Sequence, residues 1–277
     1  MRKILFAAAA ILFVSSADAQ LKTPAPSPTQ TIKQDFGLSS IELTYSRPGM
    51  KNRKVFGDLV PWGKLWRTGA NAATRIKFAD DVTLGTQTVK AGDYVLYTIP
   101  SEKEWEIIIN KGITNWGIDG YKPEEDVAHL TVSTSKTEMS IETFTMQFVN
   151  VTPNTCELRV QWENTAVNIP IATDVESKVM AQIDQQMNKD NRPYFNAAMY
   201  YMETGKDLNQ ALAWFDKAVE QNPTAFWMHH QRANCLAKLG KKDEAKLAAQ
   251  KSKDLATKEN NQDYVKLNEK LLAELNK

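Results

Sequence analysis

The chain has 277 residues, with 34 Lys+Arg against 33 Asp+Glu and a formal net charge of +1. Residues 20–277 carry 32 of each sign, which argues against a general nucleic-acid binder or a polybasic membrane protein, because both need a sustained positive excess. At 42 % hydrophobic and 24 % charged residues the composition is globular rather than disordered, and the length fits one large or two ordinary domains.

Residues 1–19 have the parts of a secretory signal: Arg2 and Lys3, then the apolar run Ile4 to Val14, then Ala17-Asp18-Ala19 with cleavage expected after Ala19. The run of 11 residues is too short for a bilayer span, which needs ~20, and no other stretch approaches that length. The expectation is an exported, periplasmic chain with no membrane span. Residues 20–30 read as a tail punctuated by Pro24, Pro26 and Pro28.

Residues 31–171 read as strands. In Asp93 to Ile99, Tyr94, Leu96 and Thr98 share one face while Val95, Tyr97 and Ile99 share the other. Shorter runs of the same kind occur at Ile41–Tyr45, Thr74–Phe78, Trp105–Ile109, Ala128–Val132, Ile141–Val149 and Thr155–Trp162. Turn residues separate them, including Asn150-Val-Thr152, which fits a glycosylation sequon but reads as a turn. Period two and short spacing predict an antiparallel β-sandwich or barrel-like domain.

Residues 172–277 read as all-α. Thr173 to Glu176 has the spacing of a capping box, and Val175, Val179, Ile183 and Met187 fall at four-residue steps along one helix face. An internal repeat follows: Ala211, Phe215 and Ala218 recur as Ala245, Ala249 and Ser252, each 34 residues later. With Tyr194, Ala197, Ala198, Tyr201, Gly205 and Pro223 in the first copy, and Ala233, Leu236 and Gly240 in the second, this resembles the tetratricopeptide repeat. The helix from Val175 and a last helix around Tyr264, Leu267 and Leu271 would cap the pair. The resemblance implies a concave surface for a protein or peptide partner, with Tyr194, Tyr201, His229 and Arg232 as candidate contacts. The alternative is a helical clamp on the chain's own β domain.

Charge is uneven within the β half. Between Arg47 and Lys77 eight bases stand against Asp58 alone, a net of +7, while residues 78–131 carry a net of −6. The basic stretch interleaves Phe56, Trp62 and Trp66. Its motifs Arg47-Pro-Gly49 with Lys51 and Arg53, Phe56-Gly57, Leu59-Val-Pro-Trp-Gly63 and Trp66-Arg-Thr-Gly-Ala-Asn71 resemble a bacterial family, domain of unknown function 2911. Ala91-Gly92 with Tyr94, Thr98-Ile-Pro100 and Trp105 continue the match, which covers roughly residues 25 to 150. The resemblance implies an exported β-rich domain and brings no reaction, substrate or cofactor.

Physically, Arg47, Arg53 and Arg67 have the forked donors that bind a carboxylate, sulfate or phosphate. Trp62 and Trp66 offer flat faces for a sugar, Gly69 allows close backbone approach, and Asn71 can orient a hydroxyl or amide. This gives a small anionic or glycan ligand. The competing reading is that these arginines pair with the tryptophans and with the acids from Asp80 to Asp126 to fasten a long loop.

Cys156 and Cys235 lie in different halves and read as separate buried thiols. His129 falls on the solvent side of its strand, and the adjacent His229 and His230 do not share a helix face. No metal or cofactor is expected. The sequence also lacks the GxSxG, HExxH, GxGxxG and P-loop patterns. The leading expectation is a non-enzymatic binding protein. The rivals are a cell-envelope or polysaccharide hydrolase using Asp58, Asp126 or His129 for proton transfer, and a purely structural envelope protein. Convergence of Trp62, Trp66 and Arg67 with an Asp, Glu or His in one pocket would favour the hydrolase.

Overall fold

Alternating β-branched and aromatic residues make the first half a sheet. The strands are β1 (Thr29–Phe36), β2 (Ser39–Ser46), β3 (Thr74–Phe78), β4 (Val82–Leu84), β5 (Gln87–Val89), β6 (Gly92–Pro100), β7 (Glu104–Asn110), β8 (Asp126–Val149) and β9 (Thr155–Ala172). They pair antiparallel in the order β1-β2-β3-β6-β7-β8-β9-β4-β5. The computed structural model describes residues 23–189 and 192–277, so the expected export signal and cleavage point lie outside the described residues. The chain divides into two units, Met1–Asp174 and Val175–Lys277.

Central β6 explains its own two-faced sequence. Tyr94 and Leu96 belong to the main core, whereas Val95 and Tyr97 join Ala73 and Ile108 in a second cluster on the opposite face. β8 is 24 residues long and absorbs two runs that the sequence separates. Its first part pairs with β7 and its second with β9, and the register slips between Lys136 and Ile141 and again before Thr145. Such irregularities bend a strand and let it pass from one sheet layer to another.

That bend closes the fold. The chain just after β2 lies along β8, with Met50 N–H donating to Glu142 O at 2.7 Å and Phe144 N–H to Pro48 O at 2.9 Å. The Tyr45 hydroxyl reaches across to accept from Met146 N–H at 2.8 Å. Inside sit Phe56, Trp66, Trp105, Phe144 and Trp162, packed ring against ring. Each such pair adds about 0.5–1.5 kcal/mol beyond area burial. The sheet starts earlier than its sequence indicates: β1 begins at Thr29, inside the span read as tail, and Arg47 N–H holds Pro28 O at 2.9 Å.

The second unit consists, among the described residues, of α1 (Val175–Met187), α2 (Tyr194–Glu203), α3 (Leu208–Gln221), α4 (Phe226–Lys238), α5 (Lys242–Lys258) and α6 (Gln262–Leu275). Asp174, not Thr173, stands directly before the first helical residue of α1. The helix starts at Val175, one residue too late for Thr173 to cap it. The Thr173 hydroxyl donates instead to the Asp81 carbonyl, and Glu176 contacts Lys206. From α2 onward each helix packs on the next, and α2 also meets α4 as α4 meets α6. Ala211, Phe215 and Ala218, and their equivalents Ala245, Ala249 and Ser252, are all buried. Cys156 and Cys235 are free, buried thiols in separate units.

Candidate functional site: an arginine-bearing cleft

The segment between β2 and β3 carries most of the sequence-selected residues, and its fastening can be followed bond by bond. Arg47 donates from Nε to Phe144 O at 3.2 Å and from Nη2 to Thr145 Oγ1 at 3.0 Å. Arg53 turns back on its own loop, donating to Met50 O and Gly49 O at 3.0 and 2.8 Å. Glu142 accepts from Lys51 N–H, and Glu163 from Val55 N–H and Phe56 N–H. Trp66 and Thr98 exchange backbone hydrogen bonds at 2.7 and 3.0 Å.

The fastening therefore runs through carbonyls and through two acids of β8 and β9, not through the acids from Asp80 to Asp126. One ion pair, Lys77–Asp93 at 3.8 Å, joins the basic and acidic stretches.

The tryptophan faces are turned into protein. Trp62 stacks on Phe56 with centroids 5.8 Å apart. Trp66 is 9 % exposed and stacks on Trp162 at 6.2 Å, its Nε1–H donating to Gly69 O. Gly69, at φ +149°, does permit a close approach, but to the Ser46 carbonyl, 3.0 Å from where a Cβ would stand. Asn71 Nδ2 donates to Ser27 O and Ser46 Oγ at 3.4 and 3.3 Å. Arg47, Trp62 and Asn71 thus hold the loop.

Arg53, Trp66 and Arg67 do come together, in a cleft of about 320 Å³ whose other walls include Leu59, Leu65, Ile118 and Trp162. Arg67 differs from its neighbours. Its Nε is buried without a hydrogen bond, and the side chain has no ion pair or hydrogen bond among the described residues. Gly117 packs beside it. Its φ of +65° suits glycine, and a Cβ there would press to 3.0 Å from Arg67 Nη1.

Gly117 belongs to the loop after β7, which sequence reading passed over. Asp126 pins this loop, accepting from Asn110 Nδ2 at 2.7 Å and from the Tyr121 hydroxyl at 2.8 Å. Burial, and then the bond to Asp126, push the Tyr121 hydroxyl above the ordinary tyrosine range. Asn115 Nδ2 donates to Tyr97 Oη at 3.2 Å. The braced loop leaves Ile113, Trp116 and Ile118 exposed. Its available signal was three large apolar residues within six positions of a segment with no strand period.

The groups considered for proton transfer stand elsewhere. Asp126 is engaged as above, His129 meets Glu106 at 2.8 Å on the outer strand face, and Asp58 is exposed in a turn. The cleft lining contains no Asp, Glu or His among the described residues.

A larger hollow of about 470 Å³ lies beside Asn150, Cys156 and Glu157. Its one charged lining group, Glu157, already holds Asn150 and Asn168, and burial followed by the nearby Glu157 charge push the Cys156 thiol up to about 11. Such a thiol is a poor nucleophile at neutral pH.

In the helical unit the four groove candidates are engaged with neighbours. Tyr194 Oη accepts from Arg192, Tyr201 packs edge-on to Trp214 at 4.7 Å, His229 Nε2 meets Pro223 O at 2.9 Å, and Arg232 pairs with Asp216 at 2.6 Å.

Among the described residues no group of three or more His, Cys, Asp or Glu is placed to hold a metal ion, and no helix is long and apolar enough to cross a membrane. Comparison of the chain with curated proteins and with solved structures finds no match. A family model described as "Protein of unknown function (DUF2911)" matches residues 27–171, just over half the chain and all but the last residue of the sheet that builds the cleft, so the chain belongs to that family.

Proposed function

We propose that the protein is an exported, non-enzymatic binding protein whose β unit holds a small anionic ligand against Arg67. One observation carries the reading: a guanidinium in a cleft whose buried Nε has no partner, beside Arg53 and with no lining carboxylate. A guanidinium with no partner among the described residues is where a carboxylate or phosphate entering the cleft gains a charge-assisted, forked hydrogen bond. The small acid is favoured over the glycan because the Trp62 and Trp66 ring faces needed for sugar stacking are occupied by Phe56 and Trp162.

The test is titration of the full chain with sodium acetate, phosphate and sulfate, following the Arg67 Nε–H resonance by NMR. Saturable movement of that resonance, with weak affinity abolished by Arg67→Met, is the expected result. A resonance unmoved by all three anions sinks the reading.

The helical unit serves as a tetratricopeptide-type scaffold for a protein contact. The 34-residue spacing of its buried small residues and the stacking of α2, α4 and α6 support this assignment. Export rests on the pattern of residues 1–19, and N-terminal sequencing of protein from the periplasmic fraction, expected to begin at Gln20, checks it.

A further inference from the structure

The Arg67 cleft is only half polar. Leu59, Val60, Leu65 and Ile118 share its wall with the two arginines, and Leu59 and Ile118 are 41 % and 46 % exposed. Neither is held out by accident. Ile118 projects from a loop fixed at both ends by Asp126 and at its middle by Asn115, and Leu59 sits in a turn closed by Val60 N–H to Val55 O at 2.8 Å. An inorganic anion would satisfy Arg67 and leave these apolar groups in water.

We infer that the ligand is an amphiphilic anion: one carboxylate or phosphate head on Arg67, joined to an unbranched apolar chain that lies along Leu59, Leu65 and Ile118. This rests on the anion reading above and names the class of anion. The charge fits because the lining offers two guanidinium groups and no acid. The apolar part fits because Leu59 and Ile118, on the same wall as the arginines, are 41 % and 46 % exposed and gain by being covered. A volume of about 320 Å³ accommodates the head and the first part of a chain, so the occupant is a single dispersed molecule, not a bilayer.

The experiment is calorimetric titration of the full chain with acetate, butanoate, hexanoate, octanoate and octyl phosphate. Each methylene that enters the cleft should tighten binding about four-fold, the equivalent of burying one CH2, until the chain passes the rim. Arg67→Met should abolish binding of the whole series. Ile118→Ser, a change at an exposed position, should flatten the dependence on chain length.

Binding that needs Arg67 but does not vary with chain length overturns the amphiphile and spares the anion reading. Chain-length dependence that survives Arg67→Met places the chain elsewhere and also overturns it. If no member binds in an Arg67-dependent way, both readings fall. A parallel arm with vesicles of phosphatidylglycerol or of phosphatidylcholine separates the sources. Arg67-dependent sedimentation with the anionic vesicles alone, without binding of the dispersed series, would overturn the single-molecule ligand in favour of a bilayer headgroup.

Discussion

If Arg67 serves a ligand and not the fold, removing its guanidinium should not cost stability. An arginine that ties a loop through a buried pair costs about 3–5 kcal/mol when that pair is broken. Arg67 has no such bond to lose among the described residues. Its buried Nε instead carries an unrelieved penalty of about 1–3 kcal/mol. Methionine keeps most of the apolar stem and adapts to irregular space, at a packing loss of about 1 kcal/mol or less. Arg67→Met is therefore expected to leave stability unchanged or raise it by up to about 2 kcal/mol, a gain of about 2–4 °C in Tm per kcal/mol.

Arg47→Met is the control. Its two bonds to Phe144 O and Thr145 Oγ1 predict a loss of about 1–3 kcal/mol. Thermal unfolding followed by tryptophan fluorescence reads both, since Trp62, Trp66, Trp105, Trp116 and Trp162 all lie in the β unit. An Arg67→Met protein as destabilised as Arg47→Met would refute the argument and return Arg67 to loop fastening.

Three further outcomes are expected. Ser252→Ala makes the second repeat copy match Ala218 of the first and improves helix propensity by about 0.5 kcal/mol. It should nevertheless destabilise by about 1–2 kcal/mol in urea unfolding, because Ser252 Oγ donates to Phe226 O at 2.7 Å and accepts from buried Asn268 at 2.8 Å. Tyr45→Phe orphans the Met146 N–H inside the closure between β2 and β8 and should cost about 1–3 kcal/mol, read from unfolding curves of the two proteins.

Burial, helped by Lys251 and Arg232 and opposed by the Pro223 carbonyl, pulls the His229 imidazole below its ordinary 6.5. The unfolded chain then takes up the proton first. His229 thus contributes full stability above about 6.5 and loses it as pH falls through the folded value. His229→Gln should remove that part of the acid-side loss when urea midpoints are compared across pH.

The sequence made the strands of the β half legible wherever a strand has two distinct faces. DYVLYTI could be assigned residue by residue because β6 is covered on both sides by different clusters. The 24-residue β8 was not legible, because its polar middle from Lys136 to Ser140 looks like a turn. Pairing with β9 on either side of it, up to Lys136 and again from Ile141, keeps that stretch within one strand. The repeat was visible in its small residues, but not the reason for its one polar exception. Ser252 is explained only once Asn268 and His230, 38 residues apart, meet at 2.8 Å.

The cleft shows the same limit. Composition selected Arg47, Arg53 and Arg67 together, since each is an arginine near an aromatic residue. What separates them is which carbonyls lie within reach, and that depends on residues at positions 118, 142–145 and 162 that no local pattern connects.

This bears on the uneven charge. A loop fastened by ion pairs loses its field as it gains its anchors. Here the partners of the arginines are neutral: Arg47 and Arg53 donate to carbonyls and a hydroxyl, while the Glu142 and Glu163 carboxylates accept from backbone N–H groups. The neighbouring acids have their own partners, with Asp81 on Lys90, Glu125 on Lys122 and Glu106 on His129. The Glu142 and Glu163 carboxylates and the Lys77–Asp93 pair therefore offset part of the +7 of residues 47–77 at contact range, and the rest lies on side chains that no carboxylate pairs among the described residues. Fastening and anion attraction, rivals when the segment is read from sequence, are compatible, since the fastening bonds of Arg47 and Arg53 go to carbonyls and a hydroxyl. A loop can be rigid and electropositive at once if its arginines are held by dipoles rather than by carboxylates, and under that arrangement Arg67, which lines the cleft without even a carbonyl partner among the described residues, is where the proposed anion would gain most.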